Sequence, residues 1–192
     1  MTESSGVISV NLIEDNKTGS VGKVVPGGHL RISPEGEIQY KAPNVFKGYW
    51  QMPEKTAEEL REDGFFITGD LGLIDDRGYI HIVGRGKDLI ISGGYNIYPK
   101  EIELFLDDLP GVLESAVIGA PHPDFGESVV AVLVPEAGAT LDADAVLEAV
   151  SRDMAGFKRP RRVEIVDALP RNTMGKVQKA ALRERFAGLF SG

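Results

Sequence analysis

Asp70 and Arg85 are the residues of this sequence whose types and spacing first suggest chemistry. They flank a predicted hairpin made of the strands Leu71–Ile74 and Tyr79–Val83 and the turn Asp75-Asp76-Arg77-Gly78. This prediction pairs Ile74 with Tyr79. Asp70 then lies opposite Val83, and Arg85 projects from the same open end. A carboxylate there can accept two hydroxyl hydrogen bonds while the guanidinium donates to the same oxygens, which suits a ribose diol. A surface ion pair of small energetic effect is the alternative.

A second cationic candidate is Lys176, within PRNTMGKVQK (Pro170–Lys179). Gly175 leaves the backbone free to turn, so Lys176 is expected at a loop tip just before a helix. A positioned cation there could stabilise negative charge that develops during a reaction. A solvated loop lysine is the alternative for any isolated Gly-Lys pair.

Two further segments lie between these candidates. Lys87 stands between Gly86 and Asp88, at the position of a candidate hinge. A hinge needs only to absorb a backbone rotation between two domain orientations. A plain surface linker is the alternative. Ser92-Gly93-Gly94-Tyr95 follows one strand later, and its glycines permit close approach of a ligand to the backbone. A simple turn is the alternative for this segment.

The amino-acid composition limits the kinds of protein and functional site that the chain can be. The 192 residues are 42% hydrophobic and 26% charged, which is ordinary for a globular protein, and they include no cysteine and three widely separated histidines. The absence of cysteine excludes disulfides and thiolate nucleophiles, and the separation of the histidines disfavours a histidine metal site. Neither a membrane span nor a secretory leader is recognisable, so a cytoplasmic location is expected.

The charge is uneven along the chain. From Ala155 onward there are nine basic and three acidic residues. Arg159, Arg161 and Arg162 have no interleaved aromatic residues and no nucleic-acid motif, so no nucleic-acid partner is predicted. A solvated basic face and a face for ligand phosphates both remain open.

Hydrophobic periodicity divides the chain near Gly84–Asp88, into residues 1–86 and 87–192. The first part shows short strands between turn residues and one helix that starts at Pro53. These elements are Ser20–Val25, His29–Ile32, Glu37–Lys41, Phe65–Thr68 and the helix Glu54–Arg61.

The second part alternates helices and strands. A helix from Pro99 carries an apolar stripe, and Asp142 can cap another helix. Ser128–Val134 is almost entirely apolar, which predicts a central strand. The other predicted elements are the strands Leu113–Gly119 and Val163–Val166 and a last helix after Lys176 that carries Leu182, Phe186 and Leu189.

The segment Ile67–Glu103, ITGDLGLIDDRGYIHIVGRGKDLIISGGYNIYPKEIE, together with the PxxTxGK pattern that ends at Lys176, resembles the adenylate-forming superfamily of acyl-CoA synthetases, luciferases and peptide-synthetase adenylation domains. The resemblance covers essentially the whole chain. It implies an α+β fold: residues 1–86 resemble the β-rich end of the large N-terminal domain, and residues 87–192 resemble the small mobile C-terminal α+β domain.

The resemblance also implies roles for nucleotide-binding residues. Asp70 and Arg85 would hold the ATP ribose, and Lys176 would act in adenylation, when a carboxylate attacks the α-phosphate of ATP. Met1-Thr2-Glu3 resembles the end of a YGxTE motif, so Thr2 would contact phosphate and Glu3 would help to hold Mg²⁺.

The same resemblance implies a thiol site and a hinge. Ser92, Gly93, Gly94 and Tyr95 would line the tunnel for coenzyme A, and Lys87 would be the hinge between two domain orientations. A chain that starts at the YGxTE motif is expected to be a C-terminal fragment that works with an N-terminal domain. Protein acetyltransferases are possible partners, because family lysines like Lys176 resemble their targets.

The acyl substrate is a carboxylic acid whose identity the motifs only suggest. GFFITGDLG, GGYNIYPKEIE and LPRNTMGKVQK resemble malonyl-CoA synthetases most closely. The segment Thr2–Asn44 is also similar to medium- and long-chain fatty acyl-CoA synthetases. Two rival hypotheses for the chain are an adenylation domain that serves a carrier protein and a non-catalytic module that binds nucleotide or a partner.

Overall fold

The structure is a computed structural model that describes residues 1–190. The chain divides into two compact units, Met1–Lys87 and a second unit that begins at Asp88. Among the described residues, no helix combines the length and apolar character needed to cross a membrane.

The first unit is built mainly from short antiparallel strands. Its elements are β1 (Ser9–Val10), β2 (Lys23–Val24), β3 (His29–Ile32), β4 (Glu37–Lys41), α1 (Pro53–Glu59), β5 (Phe66–Ile74) and β6 (Ile80–Arg85). Strands β1 and β2 form a small sheet, and the other four form a sheet in the order β3-β4-β5-β6. Tyr40, Phe66 and Tyr79 are the largest buried side chains, so aromatic rings fill much of this core.

Several predictions for this unit are confirmed. Strands β3 and β4 have the predicted bounds, and α1 begins at Pro53. The helix ends earlier than predicted, because Leu60 is already extended. The prediction of a strand over Ser20–Val25 is wrong except at Lys23–Val24, the two residues that pair with another strand.

The predicted register of the β5–β6 hairpin is also wrong. Ile74 pairs with Ile80, because the Asp75 carboxylate accepts the backbone N–H groups of Arg77 and Tyr79 and draws Tyr79 into the turn. A bulge beyond this point leaves Val83 without an opposite residue. The two shifts bring Asp70 opposite Arg85 instead of Val83.

The second unit is an α+β structure whose sheet is covered on both faces. Its elements are β7 (Ile90–Ser92), β8 (Tyr95–Ile97), α2 (Pro99–Asp107), β9 (Val112–His122), β10 (Gly126–Pro135), α3 (Ala143–Asp153), β11 (Arg162–Ile165) and α4 (Lys179–Arg185). The sheet has the order β11-β10-β7-β8, with β9 paired to the other edge of β10. The prediction that Ser128–Val134 is central is confirmed, because it lies within β10.

Alternating side chains of β10 enter two separate apolar clusters. Val129, Ala131 and Leu133 belong to the cluster that includes residues of α2 and α3. Val130 and Val132 belong to the cluster that includes Leu182 and Phe186 at the C-terminal end. Both faces of the strand are therefore covered, as its unbroken apolar sequence predicts.

The predicted helices of this unit are present. Ile102 and Leu106 of α2 are fully buried, which confirms the apolar stripe. Asp142 is the N-cap of α3 and accepts the backbone N–H of Asp144 at 3.0 Å. The α+β fold predicted from the sequence is confirmed.

Candidate functional site

The first candidate group is the pair at the open end of β5 and β6. Arg85 Nε lies 2.7 Å from Asp70 Oδ1. The Thr68 hydroxyl accepts the backbone N–H of Asp70 at 3.1 Å and donates to the Ile38 carbonyl at 2.8 Å, which anchors the strand under the carboxylate. Burial raises the pKa of the Asp70 carboxyl, and the charge of Arg85 opposes this rise. The Asp70 side chain is 20% exposed and that of Arg85 is 52% exposed, so the pair can be reached by a ligand.

A cavity of about 230 Å³ adjoins this pair. Its polar lining includes Thr68 and Asp70, and its apolar lining includes Ile38 and Ile80. Met1 also lines it, so the start of the chain lies beside Asp70. The cavity thus combines an apolar wall with a carboxylate at one side, which is the usual composition of a site for a small organic ligand.

Thr2 and Glu3 lie in a 3₁₀ turn that spans Thr2–Ser4. Thr2 is exposed. The Tyr49 hydroxyl lies 3.3 Å from Glu3 Oε1 and also contacts the Glu59 carboxylate. A tyrosine hydroxyl has one proton to donate, so it serves one of these carboxylates at a time. Burial and the nearby Glu59 raise the pKa of Tyr49, which keeps the phenol protonated.

The fit of Glu3 to a magnesium ion is partial. Its carboxylate oxygens are of the type that Mg²⁺ binds. Within residues 1–190, however, no cluster of three or more histidine, cysteine, aspartate or glutamate side chains could hold a metal ion. Glu3 can therefore supply one ligand, and a substrate phosphate would have to supply others.

Lys176 lies in a hydrogen-bonded loop of the second unit. A bridge between Arg171 and Val177 closes this loop, and Gly175 adopts a φ of +77° at its turn. The Asn172 side-chain oxygen accepts the backbone N–H of Lys176 at 2.9 Å. The Lys176 side chain is exposed, so a fixed backbone carries a cation into solvent, as the sequence predicts.

Ser92-Gly93-Gly94-Tyr95 forms the tight turn between β7 and β8. Gly93 and Gly94 have φ values of +56° and +84°, the left-handed conformations required by a two-residue hairpin of this type. The Gly93 N–H donates to the Phe125 carbonyl at 3.0 Å. The turn is therefore fixed against the loop that precedes β10.

A cavity of about 440 Å³ lies beside this turn. Strand β10 pairs with β7 at Gly126 and with β11 from Val130 onward, and the Val129 carbonyl accepts the backbone N–H of Arg161, so among the described strands none pairs with this edge over residues 127–128. The cavity lies at this gap. Tyr95 and Phe157 stack on its rim with ring centroids 4.8 Å apart, and Arg161 lies over the Phe125 ring.

Ser128 is a further residue of this cavity. Its side chain is fully buried and lines the cavity, and its hydroxyl has no hydrogen-bond partner among the described residues. Buried hydroxyl groups are normally paired, which makes Ser128 a candidate for contact with a bound molecule. In the sequence, Ser128 stands out only as a serine within an apolar strand. No sequence pattern indicates that Phe125 and Phe157 line this cavity, so neither residue was predicted.

Lys87 lies in a 3₁₀ turn that spans Gly86–Asp88, directly after β6. Its side chain is exposed. Asp88 forms an ion pair with Arg183 of α4 at 2.9 Å. The start of the second unit is thus held to its own last helix.

Residues 101–176 match the model of the AMP-binding enzyme C-terminal domain. This match shows that residues 101–176 form an AMP-binding enzyme C-terminal domain. Its homologues are acyl-CoA ligases.

Two of these relatives share 48% identity with the chain. One is the 3-[(3aS,4S,7aS)-7a-methyl-1,5-dioxo-octahydro-1H-inden-4-yl]propanoyl:CoA ligase of Rhodococcus jostii, matched over 85% of this chain and 32% of the relative. The other is a feruloyl-CoA synthase of an Amycolatopsis species, matched over 88% of this chain and 33% of the relative. The chain therefore spans about a third of the length of these curated relatives.

A solved structure matches almost the whole chain. ATP-bound MatB from Rhodopseudomonas palustris is 54% identical with a TM-score of 0.91, over 99% of this chain and 40% of MatB. The chain is thus similar in sequence and in fold to part of a larger protein.

Proposed function

We propose that the chain supplies the C-terminal part of an ATP-dependent, AMP-forming acyl-CoA synthetase. The reaction joins a carboxylate to coenzyme A in two steps. The carboxylate first attacks the α-phosphate of ATP, which gives acyl-AMP and pyrophosphate. The thiol of coenzyme A then attacks the acyl carbonyl and displaces AMP.

The observation that carries this proposal is the Asp70–Arg85 pair beside its cavity. The Asp70 carboxylate can accept both hydroxyl protons of a ribose, while Arg85 keeps further donors available beyond its bond to Asp70. Strand pairing fixes both backbones, so little ordering is required when the nucleotide binds.

Thr2 and Glu3 are proposed to face the phosphates from the start of the chain. Met1 lines the cavity that contains Asp70, so the turn Thr2–Ser4 is next to the proposed ribose site. Glu3 would hold Mg²⁺, which neutralises phosphate charge when bound. The Tyr49 hydroxyl lies beside the Glu3 carboxylate and can donate its one proton either to Glu3 or to Glu59.

Lys176 is proposed to act in the first step. Attack on the α-phosphate builds negative charge on crowded oxygens, and a cation on a preorganised loop stabilises that charge without further reorganisation. The bonds of Asn172 to the loop backbone provide this preorganisation.

Coenzyme A is proposed to bind at the Ser92–Tyr95 turn in the second step. The turn borders the 440 Å³ cavity, where aromatic rings offer stacking surfaces and the unpaired Ser128 hydroxyl offers a hydrogen bond. The two steps need different residues near the acyl group, so Lys87 is proposed as the hinge between two domain orientations. Its place in a short turn at the division between the two compact units supports this role.

The best candidate substrate is malonate, on the resemblance of three motifs to malonyl-CoA synthetases. Medium- and long-chain fatty acids are the alternative, favoured by the similarity of Thr2–Asn44. A competition assay with malonate, ferulate and octanoate on the intact enzyme would separate these classes. A preference for octanoate would replace malonate in the proposal.

The main test uses ATP–pyrophosphate exchange. Residues 1–192 are joined to the preceding portion of R. palustris MatB, so that they replace a part of MatB with which they share 54% identity. The chimera is expected to exchange pyrophosphate with an acyl substrate, and the chain alone is expected to show no exchange. Substrate positioning contributes roughly 7–11 kcal/mol in favourable cases, and most of the substrate-binding portion is absent from the chain alone.

The outcomes separate the proposal from its rivals. Binding of AMP by the chain, combined with an inactive chimera, would favour a non-catalytic nucleotide-binding module. Transfer to a carrier protein in preference to coenzyme A would favour an adenylation domain of the peptide-synthetase type. Exchange by the chain alone would contradict the proposed need for an N-terminal domain.

Lys176 is also proposed as a site for a protein acetyltransferase. It is exposed on a loop, and acetylation would remove the charge that the first step needs. Lys176→Gln in the chimera is expected to lose adenylation. Normal adenylation by this variant would remove both the catalytic and the regulatory assignment.

A further inference from the structure

Arg171 connects the Lys176 loop to the central sheet. Its Nη1 donates to the carbonyl oxygen of Gly175 at 2.6 Å, and its Nη2 forms an ion pair with the Glu114 carboxylate. Glu114 lies on β9, where it pairs with Val134 of β10. A single guanidinium therefore holds both the residue before Lys176 and a long, fixed strand.

We propose that Arg171 is a positioning residue for Lys176 and that Glu114 fixes the orientation of Arg171. This proposal rests on the proposed role of Lys176 in adenylation. Arg171 acts through the loop backbone, and Glu114 acts through Arg171.

The geometry of the arginine side chain supports this role. A guanidinium is planar and presents its N–H groups in a rigid fork, so two bonds to different partners fix its plane. Lysine has a single ammonium on a flexible chain and cannot hold the Gly175 carbonyl and Glu114 in the same way. Asn172 bonds the loop from within, whereas Arg171 is the contact that ties it to β9.

The exposure of the pair indicates that it contributes to loop order more than to stability. The Arg171 and Glu114 side chains are 44% and 28% exposed, and ion pairs in such positions contribute little to the free energy of unfolding. A purely stabilising role would therefore be weak. A positioning role requires only that the loop backbone samples fewer conformations.

Amide hydrogen exchange on the 192-residue chain tests the structural part. In Arg171→Ala, exchange of the Met174, Gly175 and Lys176 amides is expected to accelerate on the order of tenfold, without a comparable change in the β9–β10 amides. Arg31→Ala is the matched control, because Arg31 is 45% exposed and also bonds two partners, Asp63 and Gln39. Unchanged exchange in the loop, or equal acceleration in the control, would overturn the proposal.

The MatB chimera tests the functional part. Arg171→Ala is expected to slow adenylation roughly ten- to a hundredfold, in line with the cost of misplacing a catalytic group. The conversion of supplied acyl-AMP to acyl-CoA is expected to be unchanged. Glu114→Gln should have a smaller effect in the same direction, and Arg171→Lys should not restore the rate.

A double mutant shows whether Arg171 acts through Lys176. Adding Arg171→Ala to Lys176→Ala is expected to cause no further loss, because there is no longer a cation to position. Independent, multiplicative losses would overturn the proposal. A chimera that is inactive with the native residues would refute the proposed function, while the exchange experiment would still decide whether Arg171 orders the loop.

Discussion

Asp70 lies directly opposite Arg85 because the β5–β6 ladder shifts between Leu71 and Gly72. The bulge leaves Val83 unpaired and advances the rest of β6 by one residue. Without this shift and the longer turn at Asp75, the carboxylate would face Val83. The proposed ribose site therefore depends on a backbone irregularity, which is a common use of bulges near functional sites.

Gly72 is expected to be essential for this register. A Cβ atom at Gly72 would lie 2.5 Å from the His81 carbonyl oxygen and 2.7 Å from Ile38 Cδ1. Gly72→Ala should lower the free energy of unfolding of the first unit by about 1–3 kcal/mol, the usual cost of overpacking. Urea denaturation followed by NMR signals from β4–β6 measures this change. Gly86→Ala is the control in the same unit, because a Cβ atom there would meet no atom nearer than 3.7 Å, and it should have a small effect.

The protonation of Asp70 should make kcat/KM for ATP depend on pH. Burial raises its pKa above the usual 3.8, so the carboxylate that accepts the ribose hydroxyls is lost as the pH falls through this raised value. The kcat/KM for ATP of the chimera should decline in that range. Asp70→Asn should lower kcat/KM roughly ten- to a hundredfold at neutral pH and abolish this part of the pH profile.

A loss of protein stability on protonation of Asp70 would not explain this decline in kcat/KM. A carboxyl group whose pKa is higher in the folded state than in the unfolded state favours folding when it becomes protonated. The contribution of Asp70 to stability therefore increases as the pH falls, while binding weakens. If the native and Asp70→Asn chimeras have identical pH profiles, Asp70 does not bind the nucleotide in its ionised form.

The sequence predicts the elements of this chain better than their register. The apolar run of β10 and the capping aspartate Asp142 act through neighbouring residues, so local patterns reveal them. The position of Arg85 opposite Asp70 depends on a turn and a bulge that compete with the simpler two-stranded pairing. A local pattern does not determine which pairing has the lower free energy.

Contacts between residues that are distant in the sequence could not be predicted from sequence patterns either. Glu114 and Arg171 are 57 residues apart, and only the folded sheet places them together. In the sequence, Ser128 is simply one polar residue in an apolar strand. The structure shows that its hydroxyl is buried beside a cavity. Motif resemblance predicted a role for Lys176 but gave no indication of the residues that hold its loop.

The boundary between the two units should be sensitive to proteases. The second unit has two apolar clusters that cover both faces of its sheet, so it is expected to fold by itself. Residues Met1–Gly84 are expected not to be stable alone, because their strands leave exposed edges. Limited proteolysis should cut near Gly84–Asp88 and leave the later piece protected. Preferential survival of the earlier piece would contradict this expectation.

Lys176 and Lys87 should separate the two half-reactions of the proposed enzyme. Lys176→Ala in the chimera is expected to slow adenylation by about 10²–10³, the usual loss for one preorganised stabilising group. The same variant should still convert supplied acyl-AMP to acyl-CoA, because that step is proposed to use the Gly93–Gly94 turn.

Lys87→Pro is expected to have the opposite effect. Proline fixes φ near −65° and removes the backbone donor, so it should hinder a rotation at Gly86–Asp88 while the adenylating orientation remains accessible. Adenylation should then continue, and thioester formation should slow. Each half-reaction is assayed separately in both variants, by pyrophosphate exchange and by acyl-CoA formation from acyl-AMP. Equal loss of both steps in both variants would mean that Lys87 is not a hinge and that the two steps share one arrangement of residues.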